Sequence, residues 1–280
     1  MRYGLELPVG GECADPRFLA ELARLAEDAG FAGVFCEDYV TYWAAPDAPT
    51  ADPWVALAAM AVATSTVRLG TTVTAVARRR PWKLAREVAT LDRLSGGRVT
   101  LGAGLGDAHE AGFARTGEET DPAVRAARLD EGLAVLRGLW SGERFSYAGT
   151  HFRVDDVAFR PAAPGIPIWV GGGWPRRRPL ARALGQDGFC PYRYDPADPY
   201  RDLDVEVSAA DVREIRAAVV AARGTADGFD IVVGGQRRRP DWAERVPAAA
   251  ASGATWWLEW VPPGTRAEMR AAVARGPVRA

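Results

Sequence analysis

Short apolar runs alternate with helical patterns along the chain, and this alternation restricts the possible folds more than any other feature. The runs are almost continuously apolar, which is typical of parallel strands buried on both faces. The segments between them repeat apolar residues at the spacing of one helix face. Strict alternation of eight strands and eight helices over 280 residues predicts an α/β fold, a (β/α)8 TIM barrel, rather than an open doubly wound sheet.

The predicted strands cover residues 3–8, 33–37, 67–74, 99–103, 166–171, 188–190, 229–234 and 255–261. The first four helices are predicted to begin at Pro16, Pro53, Pro81 and Pro122, and weaker ones cover residues 179–184, 209–223, 241–251 and 265–275. At Pro16, Pro53 and Pro122 the preceding residue is Asp, whose side chain can accept a hydrogen bond from a free amide of the first turn. Proline itself has no amide hydrogen, so none is left unpaired at that position.

Two segments interrupt the alternation. Residues 144–161 predict a short β-hairpin inserted before the fifth barrel strand, and residues 191–203 predict a long loop after the sixth strand. Loops that follow barrel strands lie at the C-terminal face, where enzymes of this fold carry their sites. No linker composition separates two units, so the sequence predicts a single barrel domain over residues 1–280.

Composition argues against several classes of function. The 35 Lys+Arg residues balance 36 Asp+Glu residues, which is unlike a general nucleic-acid binder. We expect no signal peptide, because the N-terminal residues form no apolar segment, and no membrane span, because the longest apolar run, at residues 55–67, is too short. A cytoplasmic protein is therefore expected. Three scattered cysteines fit a reducing compartment, and two distant histidines predict no metal site.

The sequence RRRP occurs three times, at residues 78–81, 176–179 and 237–240. Each run follows a predicted strand and precedes a helix, where arginines oppose the helix dipole unless an anion or carboxylate lies there. The second run predicts a phosphate site formed by a glycine turn and three arginines: Gly171, Gly172, Gly173, Arg176, Arg177 and Arg178. The other runs could hold an anionic tail or an acidic substrate, or pair with carboxylates of the chain. Lys83 is the only lysine, so a genome that favours arginine also accounts for such residues.

Six motifs follow one another along the first two thirds of the chain. The most specific are VRLGTTVT at residues 67–74, AREVATLD at 85–92 and LSGGRVTLGAG at 94–104. The others are AEDAGF at residues 26–31, RLDEGLAVLRGLW at 128–140 and PIWVGG at 167–172. Together they resemble the luciferase-like monooxygenase family, barrel oxidoreductases that use a flavin or the deazaflavin coenzyme F420, and the matches cover roughly residues 2 to 190 in order.

The resemblance implies a cofactor site at the C-terminal mouth of the barrel. It places a cis peptide near Thr72 and Val73, behind the cofactor ring, although a regular strand is the alternative. Gly104 and Gly106 follow the fourth strand and would let the backbone approach the cofactor. Asp107 comes next, where the F420-using branch has an acidic residue for proton transfer and many flavin monooxygenases have tryptophan. A helix-capping role for Asp107 is equally compatible with its position.

Tyr39 stands where family members often have a histidine. A tyrosine can donate a hydrogen bond but is a poor base near neutral pH. Trp43 matches a tryptophan found near the ring in some F420-dependent dehydrogenases, and Asp107, Tyr39 and Trp43 are the predicted catalytic residues. Ordinary aromatic packing is the alternative for Tyr39 and Trp43. His109, Glu110 and Glu259 are weaker candidates for substrate contacts, and the lumen side of the last strand is left open.

The sequence therefore predicts an oxidoreductase that transfers a hydride between coenzyme F420 and a small organic substrate. The alternative is an FMN-dependent monooxygenase that uses reduced flavin and oxygen, for which a separate reductase is a candidate partner. A non-catalytic ligand-binding barrel has lower weight, and a hydrolase lacks an evident metal or nucleophile. The resemblance also implies a homodimer.

Overall fold

A computed structural model describes residues 1–42, 45, 47–108, 110–193, 207–236 and 241–278. Its strands are β1 (Arg2–Leu7), β2 (Gly33–Cys36), β3 (Arg68–Thr71), β4 (Thr74–Ala75), β5 (Val99–Gly104), β6 (Phe145–Ala148), β7 (Arg153–Val157), β8 (Ile168–Trp174), β9 (Gly188–Arg193), β10 (Asp230–Gly235) and β11 (Trp256–Trp260). All but the β6–β7 pair belong to one parallel sheet in the order β3-β2-β1-β11-β10-β9-β8-β5-β4. Pairing of β3 with β5 closes it, so the predicted (β/α)8 TIM barrel is confirmed.

Helices separate the barrel strands. They are α1 (Pro16–Asp28), α2 (Pro53–Ala63), α3 (Pro81–Ser95), α4 (Ala111–Ala114), α5 (Pro122–Trp140), α6 (Arg177–Leu184), α7 (Ala209–Arg223), α8 (Trp242–Ala251) and α9 (Arg266–Ala274). The capping carboxylates of the three Asp-Pro starts accept from first-turn amides, at 2.9 Å for Asp15, 3.0 Å for Asp52 and 2.8 Å for Asp121. The predicted helix starts are confirmed where Asp precedes Pro.

The third barrel strand differs from its prediction. Residues 67–74 are predicted as one strand, whereas β3 ends at Thr71 and the short β4 begins at Thr74. The peptide bond between Thr72 and Val73 is cis, as the family resemblance implied. Strand pairing resumes with Thr74 opposite Ala103 of β5, so the interruption lies at the C-terminal end of the barrel.

Two apolar clusters stabilise the barrel, one outside it and one in its lumen. The outer cluster packs the helices against the outward faces of the strands. The lumen is filled by Phe35, Trp169, Val232, Trp256 and Leu258. The Phe35 and Trp169 rings lie 5.1 Å apart, and those of Trp169 and Trp256 lie 5.3 Å apart. The lumen is thus a packed core, and any site lies above it.

The predicted hairpin is present before the fifth barrel strand. β6 and β7 pair antiparallel, with Phe145 opposite Val157 and Ala148 opposite Arg153. The second strand begins at Arg153, and in the turn before it the Glu131 carboxylate accepts from the backbone amides of Thr150, His151 and Phe152. The hairpin lies beside α3, with the Trp82 and Phe152 rings 6.2 Å apart.

Candidate active site

Two glutamates that the sequence analysis does not single out face the lumen at the C-terminal end of the barrel. A Cβ at Gly4 would contact Leu258 and Phe35 of the lumen cluster, so the inward positions of β1 are Gly4 and Glu6. By the same alternation, Glu37 lies two residues beyond the inward-facing Phe35. We call Glu6 and Glu37 the lumen glutamates.

The side chains of the lumen glutamates cross each other. Thr72 Oγ1 lies 2.8 Å from Glu6 Oε1, so Glu6 on β1 reaches past β2 to the end of β3. Trp260 Nε1 donates to Glu37 Oε1 at 3.1 Å, so Glu37 reaches past β1 to the end of β11. The two side chains therefore pass each other above the apolar lumen core, near enough for the charge of Glu37 to act on Glu6.

The carboxyl group of Glu6 is strongly perturbed by its surroundings. Burial, and secondarily the charge of Glu37, raise its pKa from 4.5 to about 8, although the Thr72 hydrogen bond works in the opposite direction. The residue as a whole is half-buried. Glu6 therefore provides a carboxyl group at the mouth that holds its proton near neutral pH.

Val73 fills a recess that three glycines leave open on the other side of the mouth. A Cβ at Gly102, Gly104 or Gly171 would lie 3.2, 2.5 or 2.8 Å from a methyl carbon of Val73. We call Val73 with these glycines the valine cradle. The sequence analysis expected Gly104 and Gly171 to let the backbone approach a ligand, whereas their open space is taken by Val73. A ligand at the mouth would meet the partly exposed valine instead.

Four charged residues form a buried ion cluster beside the mouth. Arg78 Nη1 lies 2.6 Å from Glu110 Oε2, and Arg78 Nη2 lies 3.0 Å from Asp38 Oδ1. Arg79 Nη2 lies 2.8 Å from the same Asp38 oxygen. Glu110 also accepts from the amide of Val40 at 3.1 Å. The predicted substrate contact of Glu110 is not supported, because its carboxylate is used to tie the β2 loop to the segment before α3.

This ion cluster also changes the interpretation of the first arginine run. Arg78 and Arg79 bind carboxylates of the chain, so they do not present free charge to an anionic tail or substrate. Arg80 is exposed, and its guanidinium lies 6.0 Å from the Trp82 ring. The alternative of internal pairing thus holds for Arg78 and Arg79.

Tyr39 lies between the lumen glutamates and the rim. Burial, followed by the charges of Glu37, Glu6, Glu110 and Asp107, raises the pKa of its hydroxyl far above the usual range. The phenol therefore stays protonated at ordinary pH, and it can donate a hydrogen bond to an oxygen atom but cannot act as a base.

Asp107 lies on the exposed rim beyond β5. The preceding Gly106 has a φ of 74°, and a Cβ there would come within 2.6 Å of Phe113. Arg125 Nη1 donates to the Gly106 carbonyl at 2.8 Å, which holds the turn in place. Gly106 is thus explained by backbone conformation and close packing, and Asp107 is carried on a fixed turn at the mouth.

The second arginine run lies at the C-terminal end of β8, as the sequence predicts. The prediction of a glycine turn at residues 171–173 is wrong, because these residues continue β8 as far as Trp174. Helix α6 begins at Arg177, two residues before the predicted start, with Arg176 as its N-cap. All three arginines are exposed at this helix N-terminus. The arginines thus stand with the first-turn amides of α6, and the glycines lie behind them in the strand; the anion site itself stays a prediction.

Glu259 does not face the lumen. Trp256 and Leu258 belong to the lumen cluster, so Trp260 also points inward, while Glu259 lies on the opposite side with Trp257 of the outer cluster. Because Glu259 points away from the lumen, the structure gives no support to its predicted contact with a substrate. Trp43, His109 and the third arginine run at residues 237–239 lie outside the described residues.

The sequence could have indicated the lumen glutamates only if it were known which alternate residues of each strand face the lumen. Glu6 is the last inward position of β1, and Glu37 is the first residue after β2; each stands two residues beyond an inward glycine or phenylalanine. Continuous apolar runs hide which alternate positions face the lumen.

A family model described as luciferase-like monooxygenase matches residues 3–237. The chain belongs to this family. An F420-dependent glucose-6-phosphate dehydrogenase of Beutenbergia cavernae is 39% identical over 180 residues, which is 62% of this chain and 52% of that protein. The chain spans about half the length of the curated relatives it matches.

Solved structures of low sequence identity share the fold. The coenzyme F420-dependent tetrahydromethanopterin reductase of Methanopyrus kandleri has a TM-score of 0.75 and 16% identity, with 98% of both chains covered. A monooxygenase of Streptomyces bottropensis has a TM-score of 0.69 and 20% identity, with 98% of this chain and 96% of that chain covered. At this identity the likeness concerns the barrel itself.

Neither a metal cluster nor a membrane helix occurs in the part of the chain that the structure describes. No three His, Cys, Asp or Glu side chains there come together as metal ligands would. None of the described helices combines the length and apolar character needed to cross a bilayer.

Proposed function

We propose that this luciferase-like protein is an oxidoreductase that transfers a hydride between coenzyme F420 and a small organic substrate. The observation that carries the proposal is the valine cradle, which presents the partly exposed Val73 side chain at the mouth, with an exposed arginine group at the end of β8. The name of the Beutenbergia cavernae relative supports coenzyme F420 as the cofactor.

The residues present fit such a cofactor. The ring of the deazaflavin would lie against Val73 and the adjoining Thr72, and Gly104 and Gly171 would keep the valine in place. Its phosphate would be held by Arg177 and Arg178 and the free amides of α6, which favour an anion. When bound, coenzyme F420 supplies the hydride chemistry, which the protein side chains lack.

The chain's own groups then orient the substrate. The protonated Tyr39 hydroxyl can donate a hydrogen bond to a substrate oxygen at the mouth. Asp107, on its fixed turn, lies at the rim where protons exchange with water. We propose Trp43 as a further contact of the reacting centre, on the family resemblance alone.

An FMN-dependent monooxygenase is the second candidate. It is favoured by the family name and by the monooxygenase of Streptomyces bottropensis, whose barrel covers almost the same span. In that case a separate reductase would supply reduced flavin. The homodimer, the cytoplasmic location and the single-domain organisation over residues 1–280 stay predictions.

Titration of the purified protein with coenzyme F420 and, separately, with FMN distinguishes the candidates. We expect quenching of cofactor fluorescence with coenzyme F420 and none with FMN. Binding of FMN with oxygen uptake would favour the monooxygenase, and binding of neither would favour a non-catalytic barrel.

A double variant, R177Q/R178Q, tests the anion site. Its affinity for coenzyme F420 should fall about tenfold and depend less on salt, because two charge-assisted contacts to the phosphate are lost. The matched control is Arg275→Gln, at the C-terminal end of α9 on the opposite side of the barrel. Equal affinities for all three proteins would remove the arginines from the cofactor site.

A further inference from the structure

We propose that Glu6, paired with Glu37, is the catalytic acid–base group that exchanges a proton with the oxygen of an uncharged alcohol or carbonyl substrate. This inference rests on the proposed hydride transfer, and it adds the proton donor and the substrate class. The geometry of the lumen glutamates carries it.

The position of Glu6 is that of a group in contact with the reacting centre. Its carboxyl bonds Thr72, and the next residue, Val73, forms the valine cradle. A substrate that lies between a ring on the cradle and the lumen core would meet Glu6 from below. Glu6 is half-buried and stands near the C-terminal end of β1, so its carboxyl lies at the mouth rather than at the bottom of the barrel.

Glu37 acts as a positioning residue. Its carboxyl accepts a hydrogen bond from Trp260 Nε1, which fixes where the charge of Glu37 acts on Glu6. Tyr39 and Cys36 from the end of β2 and Cys190 from β9 lie near enough to feel the charge of Glu6. These three side chains are uncharged when protonated, so they do not offset the effect of Glu37 on Glu6.

The proton balance of the reaction requires such a group. When an alcohol is oxidised, its C–H and O–H bonds break and a C=O double bond forms. The hydrogen on carbon leaves with both electrons as hydride to the oxidised deazaflavin, and the hydroxyl proton passes to the Glu6 carboxylate. In the reverse direction the neutral Glu6 carboxyl returns that proton to the carbonyl oxygen. Tyr39 cannot replace Glu6 as acceptor, because its pKa is raised.

The charges around the mouth set the substrate class. The lumen glutamates lie at its floor, while the nearby Arg78 and Arg79 are bound by Asp38 and Glu110. An anionic group at the floor would be repelled by this arrangement. The reacting end of the substrate should therefore be uncharged.

The first test needs no cofactor. Infrared titration of the intact protein should show a protonated carboxyl band at neutral pH that disappears as the pH rises through about 8. The band should be absent in Glu6→Gln, and in Glu37→Gln its midpoint should move to lower pH. The control Glu143→Gln changes an exposed carboxyl and should leave the band unchanged. A neutral-pH band that survives in Glu6→Gln would overturn the proposal.

The second test uses the protein loaded with coenzyme F420 and a panel of uncharged secondary alcohols, with a 2-hydroxy carboxylate such as lactate, whose charge adjoins the reacting carbon, as the anionic comparison. We expect oxidation of an uncharged alcohol to rise with pH through about 8, and kcat to fall at least 100-fold in Glu6→Gln with cofactor affinity unchanged. A Glu6→Gln enzyme within threefold of wild type would refute the catalytic role. Turnover of the 2-hydroxy carboxylate but of no uncharged alcohol would refute the substrate class. Failure of the wild-type protein to bind coenzyme F420 would instead refute the proposed function. The infrared titration would still show whether Glu6 is protonated at neutral pH.

Discussion

Replacement of Glu6 by glutamine should make the stability of the protein less dependent on pH. The folded protein holds the Glu6 proton up to about pH 8, whereas the unfolded chain releases it at the usual value of 4.5. Between these values the native state binds more protons than the unfolded state, so the free energy of unfolding falls as pH rises. Glutamine has nearly the same size, can meet the Thr72 hydroxyl, and does not titrate.

The magnitude follows from the width of this window. One proton of difference gives a slope of at most about 1.4 kcal/mol per pH unit, and the shift from 4.5 to about 8 gives an upper limit of about 5 kcal/mol. Because Glu6 keeps partial solvent contact, screening should reduce the effect to about 2 kcal/mol.

Urea unfolding followed by circular dichroism from about pH 5 to about pH 9 measures this effect. The free energy of unfolding of wild type should decrease across the range by about 2 kcal/mol more than that of Glu6→Gln. Glu143→Gln, which changes an exposed carboxyl, should follow wild type. Parallel curves for wild type and Glu6→Gln would show that the carboxyl ionises normally, and the reasoning would be refuted.

Three further substitutions test other parts of the structure. Gly104→Ala should displace Val73, because the added Cβ would lie 2.5 Å from a methyl carbon of that valine, and it should weaken coenzyme F420 binding in a fluorescence titration. The control Gly165→Ala adds a Cβ into open space and should leave the binding unchanged. Glu110→Gln leaves the buried Arg78 with one carboxylate and should cost about 2–3 kcal/mol in urea unfolding; a loss below about 0.5 kcal/mol would contradict the buried pairing. Asp121→Ala removes the acceptor of two first-turn amides and should cost about 1 kcal/mol by the same assay, with cofactor binding unchanged.

The sequence predicted the fold well because the signals for it are local. Continuous apolar runs and Asp-Pro helix starts depend on neighbouring residues, and Asp15, Asp52 and Asp121 cap their helices as expected. Where a boundary depended on contacts from elsewhere, the prediction was less accurate. β8 continues through the glycines to Trp174 because it pairs with β9 up to Arg193.

The candidate site was predicted in part. The mouth of the barrel, the unusual peptide at Thr72 and the exposed arginines at α6 follow from motif and position. The three arginine runs are alike in sequence, yet in the first run Arg78 and Arg79 are paired with Asp38 and Glu110, which come from two other loops. Such pairing joins residues far apart in the chain, so no local pattern distinguishes the runs.

By itself the sequence determined that the chain forms an eight-stranded barrel and that its chemistry lies at the C-terminal mouth, because hydrophobic periodicity and capping act over a few residues. Only the tertiary structure decided which alternate residues of each strand face the lumen, because both faces of a barrel strand are buried. That register turned Glu259 outward and brought Glu6 beside Glu37. Burial of two carboxyl groups together then gave Glu6 its raised pKa, a property that neither residue has in the unfolded chain.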